Sequence, residues 1–174
     1  MESKQPKATV ALLPGSYDPI TVGHVDVIRR AASLFGRAYV AVMTNDMRAY
    51  VESAKVKEYM FSMDERTDMA RLACEDLPNV TVISSTARLI DLVDELGVDV
   101  IIKGVRNETD YAYEQQHALY NRAHNPRAET LYLPADPKYD YISSTLVREK
   151  IEAGESTEDI LPAKVAAYIQ KRGE

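Results

Sequence analysis

The sequence holds a single cysteine, Cys74, so no internal disulfide can form, and nothing around that residue has the spacing of a metal site. A reducing compartment suits such a chain. No apolar run reaches the roughly 18 residues that a membrane helix needs. The short polar start, residues 1–7, is followed by no signal-peptide pattern and is expected to be a disordered extension. No membrane partner and a cytoplasmic location are the expectations. Positive charge is scarce as well. Lys and Arg together number 21 against 27 Asp and Glu, a net charge of −6. That balance lacks the electrostatic footprint of a general nucleic-acid binder, while a local basic pocket for phosphates stays open. Neither a Walker A string nor G-x-G-x-x-G occurs, so the two commonest phosphate-binding fingerprints are excluded.

What is present reads as one globular domain over residues 1–174. Apolar residues make up 45% of the chain and charged residues 28%, enough of each for a buried core and a solvated surface. Short apolar runs rich in strand formers alternate with helical patterns. Strands are expected at residues 8–13 (stopped by Pro14-Gly15), 38–44, 79–84, 98–102 and 129–133. Helices are expected at 22–35, from the capping-box pattern at Ser62 to about 76, at 89–96, 108–123, 143–153 and 163–171. Such alternation predicts a single α/β domain, Rossmann-like, with an open parallel five-stranded sheet and helices on both faces. Ligands of such sheets bind beyond the carboxyl ends of the strands. Residues 45–61 carry no clear pattern and are expected to form a mobile loop near the site.

The residues after each strand carry the chemistry. Strand one leads into Pro14-Gly-Ser-Tyr-Asp-Pro-Ile-Thr-Val-Gly-His24. Gly15 permits a sharp turn, Ser16 offers a hydroxyl, and Gly23 lets a ligand approach the start of a helix. His24 falls in the first turn of that helix, where free N–H groups and the helix dipole favour an anion. A lone histidine is more often a satisfied surface group; between a strand and a helix, the full string points to a phosphoryl site. Strand four is followed by Lys103-Gly104-Val105-Arg106, two cations flanking a glycine at the same sheet edge. Strand five leads through Tyr139, Asp140 and Tyr141 to Ile142-Ser143-Ser144-Thr145, where hydroxyls opening a helix can cap it or bind phosphate. Either tyrosine could pack on an adenine or serve only the core. Glu114 could bond a ribose or an amine, although a helical Glu is more often merely solvated. His117 and His124 have no matching acid or nucleophile and are read as structural or surface groups.

Taken together, PGSYDPITVGH, FSMDER, IIKGVR, DYAYEQQ with Asn121-Arg122, and YISSTLVRE resemble the (H/T)xGH nucleotidylyltransferases, and within them the phosphopantetheine adenylyltransferases. The resemblance spans residues 9–169. It implies adenylyl transfer from ATP to 4′-phosphopantetheine, with Mg2+ accompanying ATP, a homohexamer, and coenzyme A as a feedback inhibitor. It implies that Ser16 touches both substrates, that Tyr17 lies beside ATP, and that His24 stabilises the transition state at the α-phosphate. Gly104, Val105, Arg106, Glu114, Tyr139, Asp140, Tyr141, Ile142, Ser143, Ser144 and Thr145 would hold ATP, while Leu89 and Lys103 would meet the acceptor. The family usually has Arg in the place of Lys103. It also has a catalytic lysine in the loop before the FSMDER segment. Counting back from Phe61 gives Lys57 and counting forward from strand two gives Arg48; Lys55 is near, and Lys57 is the choice. Nicotinamide mononucleotide adenylyltransferases share the ISSTxxR-like string but usually read HxGH where Thr21 stands. Cytidylyltransferases and a non-catalytic nucleotide sensor are the remaining readings.

Overall fold

The computed structural model describes residues 9–44 and 58–173. Five strands, β1 (Val10–Gly15), β2 (Arg37–Met43), β3 (Val80–Ser85), β4 (Val100–Val105) and β5 (Thr130–Pro134), pair in parallel in the order β3-β2-β1-β4-β5. Six helices connect or follow them: α1 (Val22–Leu34), α2 (Met63–Cys74), α3 (Leu89–Glu95), α4 (Glu108–His124), α5 (Ser144–Ala153) and α6 (Ala163–Arg172). This is the expected α/β architecture.

Successive side chains of a strand point to opposite faces, so each central strand feeds two cores. Leu12, Ala41 and Ile101 pack with Ile90, Leu92 and Val93 of α3. Their neighbours Leu13, Val40, Val42 and Ile102 pack on the other face with Ile28 of α1, Met69 of α2, Val147 of α5 and Val165 of α6. Near-continuous apolar runs are what strands buried on both faces require.

Local chemistry sets the helix ends. Ser62 caps α2 by accepting from Glu65 N at 3.2 Å, and the Glu65 carboxylate accepts from Ser62 N at 2.7 Å. Such a reciprocal cap is worth on the order of 1 kcal/mol. Helix α5 ends on Gly154 at φ 68°, a left-handed position that favours glycine.

Two strands run further than their sequences suggest. Pro14 and Gly15 remain in β1, in register with Ala41 and Val42. Proline cannot donate to a ladder, but β1 pairs with β4 only at Ala11 and Leu12, so little pairing is asked of it there. Similarly, β4 carries Lys103, Gly104 and Val105 in register with Tyr132, Leu133 and Pro134, where a loop was expected. A lysine at this strand end is tolerated because its ammonium pairs with Glu114 of α4.

Candidate active site

Because β1 connects onward to β2 on one side and is flanked by β4 on the other, the chain reverses its winding direction between β1 and β4. In open α/β sheets ligands bind at that switch point, beyond the carboxyl ends of the strands. Here the two strands part after Leu12 and Ile101, and a cavity of about 620 Å³ opens above them. Its walls come from β1 and the following loop, α1, β4, α4, and the 3₁₀ turn at Pro137–Tyr139. A pocket of this size takes a nucleotide-sized ligand.

Glycine shapes the walls at two close approaches. A Cβ on Gly15 would fall 2.9 Å from Tyr17 Cε2, and one on Gly104 would fall 2.9 Å from Val27 Cγ2. The first lets Tyr17 fold back over β1; the second lets α1 lie against β4. At Gly23 a Cβ would meet only ordinary contacts, 3.6 Å to Thr21 Oγ1 and 3.7 Å to Tyr139 Cβ. Protein packing therefore does not demand glycine at 23, and the space it leaves faces the cavity.

The Thr21-x-x-His24 spacing is a capping box with histidine in the usual Glu or Gln place. Thr21 Oγ1 accepts from His24 N at 3.3 Å, and His24 Nδ1 accepts from Thr21 N at 3.0 Å. A backbone N–H can only donate, so Nδ1 carries no proton and Nε2 does. The cap thereby fixes the tautomer that makes His24 a donor. Tyr17 holds the ring from the side, edge-on with centroids 5.1 Å apart. Its backbone sits at φ 46°, a strained position for a bulky residue, secured by burial and by Tyr17 Oη donating to Leu13 O at 3.0 Å. Burial pushes the Tyr17 phenol well up, so it stays neutral.

Two cations line the same cavity as this histidine. Lys103 Nζ lies 3.1 Å from Glu114 Oε2, both side chains about four-fifths buried. Arg106 grips Asp110 through Nε at 2.7 Å and Nη2 at 3.0 Å, and its Nη1 donates to Ile142 O at 3.1 Å. The paired hydrogen bonds from Arg106 hold the Asp110 carboxyl below its ordinary range, with burial opposing, and Asp110 raises Arg106 in turn. A donor histidine, a lysine and a forked arginine around one crevice suit a polyphosphate. Among the described residues no group of three or more His, Cys, Asp or Glu side chains gathers that could hold a metal.

Residues 12–150 match the cytidylyltransferase-like family model. The chain is 39% identical over 163 residues to the phosphopantetheine adenylyltransferase of Limosilactobacillus fermentum, covering 94% of this chain and 89% of that one. It is 37% identical to the enzyme of that name from Caldanaerobacter subterraneus, covering 94% and 96%. The chain belongs to the phosphopantetheine adenylyltransferase family. A Vibrio parahaemolyticus protein provisionally called a nicotinate-nucleotide adenylyltransferase shares the fold of this family member, with TM-score 0.71, 16% identity, and 95% and 94% coverage.

Of the residues expected at the site of this adenylyltransferase, Ser16, Tyr17, His24, Leu89, Lys103, Gly104, Arg106, Glu114, Tyr139 and Ile142 line the cavity. Val105, Asp140, Tyr141, Ser143, Ser144 and Thr145 are not among its walls. The hydroxyls have other partners: Ser143 caps α5 by accepting from Leu146 N, Ser144 donates to Pro19 O, and Thr145 accepts from Arg148 Nη2. Tyr141 is 60% exposed, so of the two tyrosines it is Tyr139 that reaches the wall. Arg48, Lys55 and Lys57 lie outside the described residues.

Tyr113, His117 and Asn121 also line the cavity; Tyr113 and Asn121 stood in the strings that carry the resemblance without a role of their own, and His117 was read as a structural or surface group. They fall with Glu114 at helical spacing on one face of α4, a signal that was present but polar and easily read as solvated. His117 Nδ1 is 4.0 Å from Glu114 Oε2. Burial, the largest effect, draws His117 below the ordinary histidine value; Glu114 opposes this and Lys103 adds to it. Asn121 is 2% exposed, and its Oδ1 has no hydrogen-bond partner among the described residues. A buried amide oxygen at a cavity wall is suited to a ligand N–H, since leaving it unmet costs roughly 1–3 kcal/mol.

Proposed function

We propose that this chain transfers the adenylyl group of ATP to 4′-phosphopantetheine, giving 3′-dephospho-coenzyme A and pyrophosphate. The observation that carries the mechanism is the Thr21–His24 cap, which makes His24 an Nε2–H donor at the wall of a cavity holding Lys103 and Arg106. An oxygen of the acceptor phosphate attacks the α-phosphorus of ATP. As that P–O bond forms, the bond from the α-phosphorus to the bridging oxygen breaks, and its electron pair leaves with pyrophosphate. The acceptor is already anionic at neutral pH, so no nucleophile from the protein is required. The chain contributes position and charge: His24 donates to the α-phosphoryl oxygens, Arg106 clamps ATP, and Lys103 exchanges Glu114 for the acceptor phosphate. Tyr139 faces the adenine. Lys57 would add a cation from the segment before the 58–61 turn.

Mg2+ would supply charge neutralisation as the counter-ion of ATP. It would accompany ATP, since among the described residues no group of three or more His, Cys, Asp or Glu side chains gathers to hold it. The buried free thiol of Cys74, which burial raises to about 11, is inert and supports a reducing, cytoplasmic setting. No helix among the described residues is long and apolar enough to cross a membrane.

Pyrophosphate release from ATP and magnesium tests the reading. Release is expected with 4′-phosphopantetheine and not with nicotinamide mononucleotide, and added coenzyme A, which carries the acceptor's pantetheine arm, is expected to inhibit it. Release only with the mononucleotide would keep His24 as donor and overturn the acceptor; none with either would favour a nucleotide sensor. A homohexamer is the proposed assembly. Exposed Tyr111 and Leu119 on α4 support association through that helix. Light scattering is expected to return six chain masses; a monomer at micromolar concentration would reject the assembly.

A further inference from the structure

Three backbone carbonyls from separate segments converge on one buried guanidinium. Arg66 of α2 is 1% exposed. Its Nη1 donates to Ser16 O at 2.6 Å and to Met43 O at 3.1 Å, and its Nε donates to Phe61 O at 3.2 Å. The guanidinium lies 4.2 Å over the Tyr59 ring. Asp18, fully buried, binds the same neighbourhood: its carboxylate accepts from Met60 N at 3.0 Å and Phe61 N at 2.9 Å. Arg148 donates to Asp18 O at 2.8 Å from the other side.

A buried charge is costly, and well-packed apolar residues of similar volume often serve stability as well or better. Burial draws the Arg66 pKa down, with Tyr59 and Asp18 opposing. What an apolar residue could not do is hold the Ser16 carbonyl. That carbonyl shares a peptide plane with Tyr17 N, and Tyr17 is the residue at φ 46° whose ring edge meets His24. A strained backbone persists only where its surroundings over-determine it. Here they do so through Arg66 on the Ser16 carbonyl and Leu13 on the Tyr17 hydroxyl.

We propose that Arg66 is a positioning residue for adenylyl transfer: by pinning the Ser16–Tyr17 peptide it keeps Tyr17 folded against His24 and so keeps the His24 ring aimed at the phosphoryl group. The same guanidinium ties this loop to the end of β2 and to the segment before α2. The proposal rests on the reading of His24 as the phosphoryl donor.

Steady-state kinetics of Arg66→Lys, alone and combined with His24→Ala, test it. Lysine keeps the charge but cannot serve three carbonyls in the plane of a fork. Misplacement of a catalytic group by about 1 Å can cost up to 10²-fold, so kcat per folded chain is expected to fall at least roughly ten-fold in the single variant. In the His24→Ala background the same substitution is expected to cost no more than about two-fold, because residues acting as a unit are not additive. Equal falls in both backgrounds, or an unchanged kcat with only a lower melting temperature, would reduce Arg66 to a structural role. A wild-type chain releasing no pyrophosphate with 4′-phosphopantetheine would instead overturn the functional reading and this proposal with it. Lysine is chosen because a neutral residue risks losing the fold; should Arg66→Lys also fail to fold, Asp18→Asn combined with His24→Ala provides the cycle for the same loop, and equal falls there reject the proposal.

Discussion

His24→Ala is expected to lower kcat by roughly 10²–10³ while leaving the protein folded. The magnitude follows from removing one preorganised donor from a phosphoryl site, on the order of 3–4 kcal/mol of transition-state stabilisation. A second effect runs alongside. His24 is also half of the capping box of α1, since its Nδ1 accepts from Thr21 N at 3.0 Å. Losing that acceptor costs about 1 kcal/mol of stability, which for a chain of this length lowers the melting temperature by roughly 2–4 °C. The two effects separate in His24→Gln. Its amide oxygen can accept from Thr21 N as glutamine does in an ordinary capping box, so the melting temperature is expected to recover. The ring, and with it an N–H at the imidazole Nε2 position, is still gone, so kcat is expected to stay low. Calorimetry and pyrophosphate release on the same preparations check both. Unchanged turnover in His24→Ala would remove His24 from the mechanism.

The contrast between these variants also shows why some of the site was legible in the residues and some was not. The order of strands and helices follows from apolar runs and caps, which are local, and the structure reproduces it. Thr21 and His24 lie three residues apart, so their relation could be anticipated as a helix start, though not the direction of the hydrogen bond that fixes the tautomer. Strand order is different in kind. That β1 sits between β2 and β4, and that pairing with β4 ends at Leu12, depends on contacts some ninety residues apart in the chain. No local pattern encodes the crevice this produces. For the same reason Lys103-Gly104-Val105 looked like a loop: glycine and lysine disfavour a strand locally, while registration against β5 keeps them in one.

Hydroxyl side chains are ambiguous in a motif. Ser143, Ser144 and Thr145 have the composition of a phosphate cradle, and each also has a protein partner around the start of α5, so a cap and a ligand contact draw on the same hydroxyls. Serine and threonine serve caps and ligands with the same atom, and only tertiary position decides between them. Arg66 shows the reverse. Within the FSMDER string it reads as a charged residue near a helix start, and nothing local announces that two distant carbonyls, those of Ser16 and Met43, will join that of Phe61 around it.

Arg106→Ala is expected to reduce kcat/KM by about 10²–10³-fold, with a larger share in the KM for ATP than His24→Ala shows. Two losses combine in that figure. The cavity loses a forked donor suited to phosphate, and Asp110 loses the partner that grips it at 2.7 and 3.0 Å. The uncompensated carboxylate then faces a polyanion, and like charges in a partly enclosed site repel. Arg106→Ala with Asp110→Asn removes the repulsion, so the double variant is expected to recover several-fold of kcat/KM over Arg106→Ala alone. Acid sensitivity supplies an independent reading of the pair. In the wild type the Asp110 carboxyl is held below its ordinary value, chiefly by the Arg106 side chain. Its contribution to stability is present above the unfolded-state value of about 3.9 and is given up as pH falls through the lowered folded-state value. With Arg106 gone the folded and unfolded values converge, so the fall in melting temperature on acidification is expected to be shallower in Arg106→Ala than in the wild type. A double variant no better than Arg106→Ala, together with parallel acid profiles, would mean that Asp110 neither orients Arg106 nor competes with the nucleotide for it.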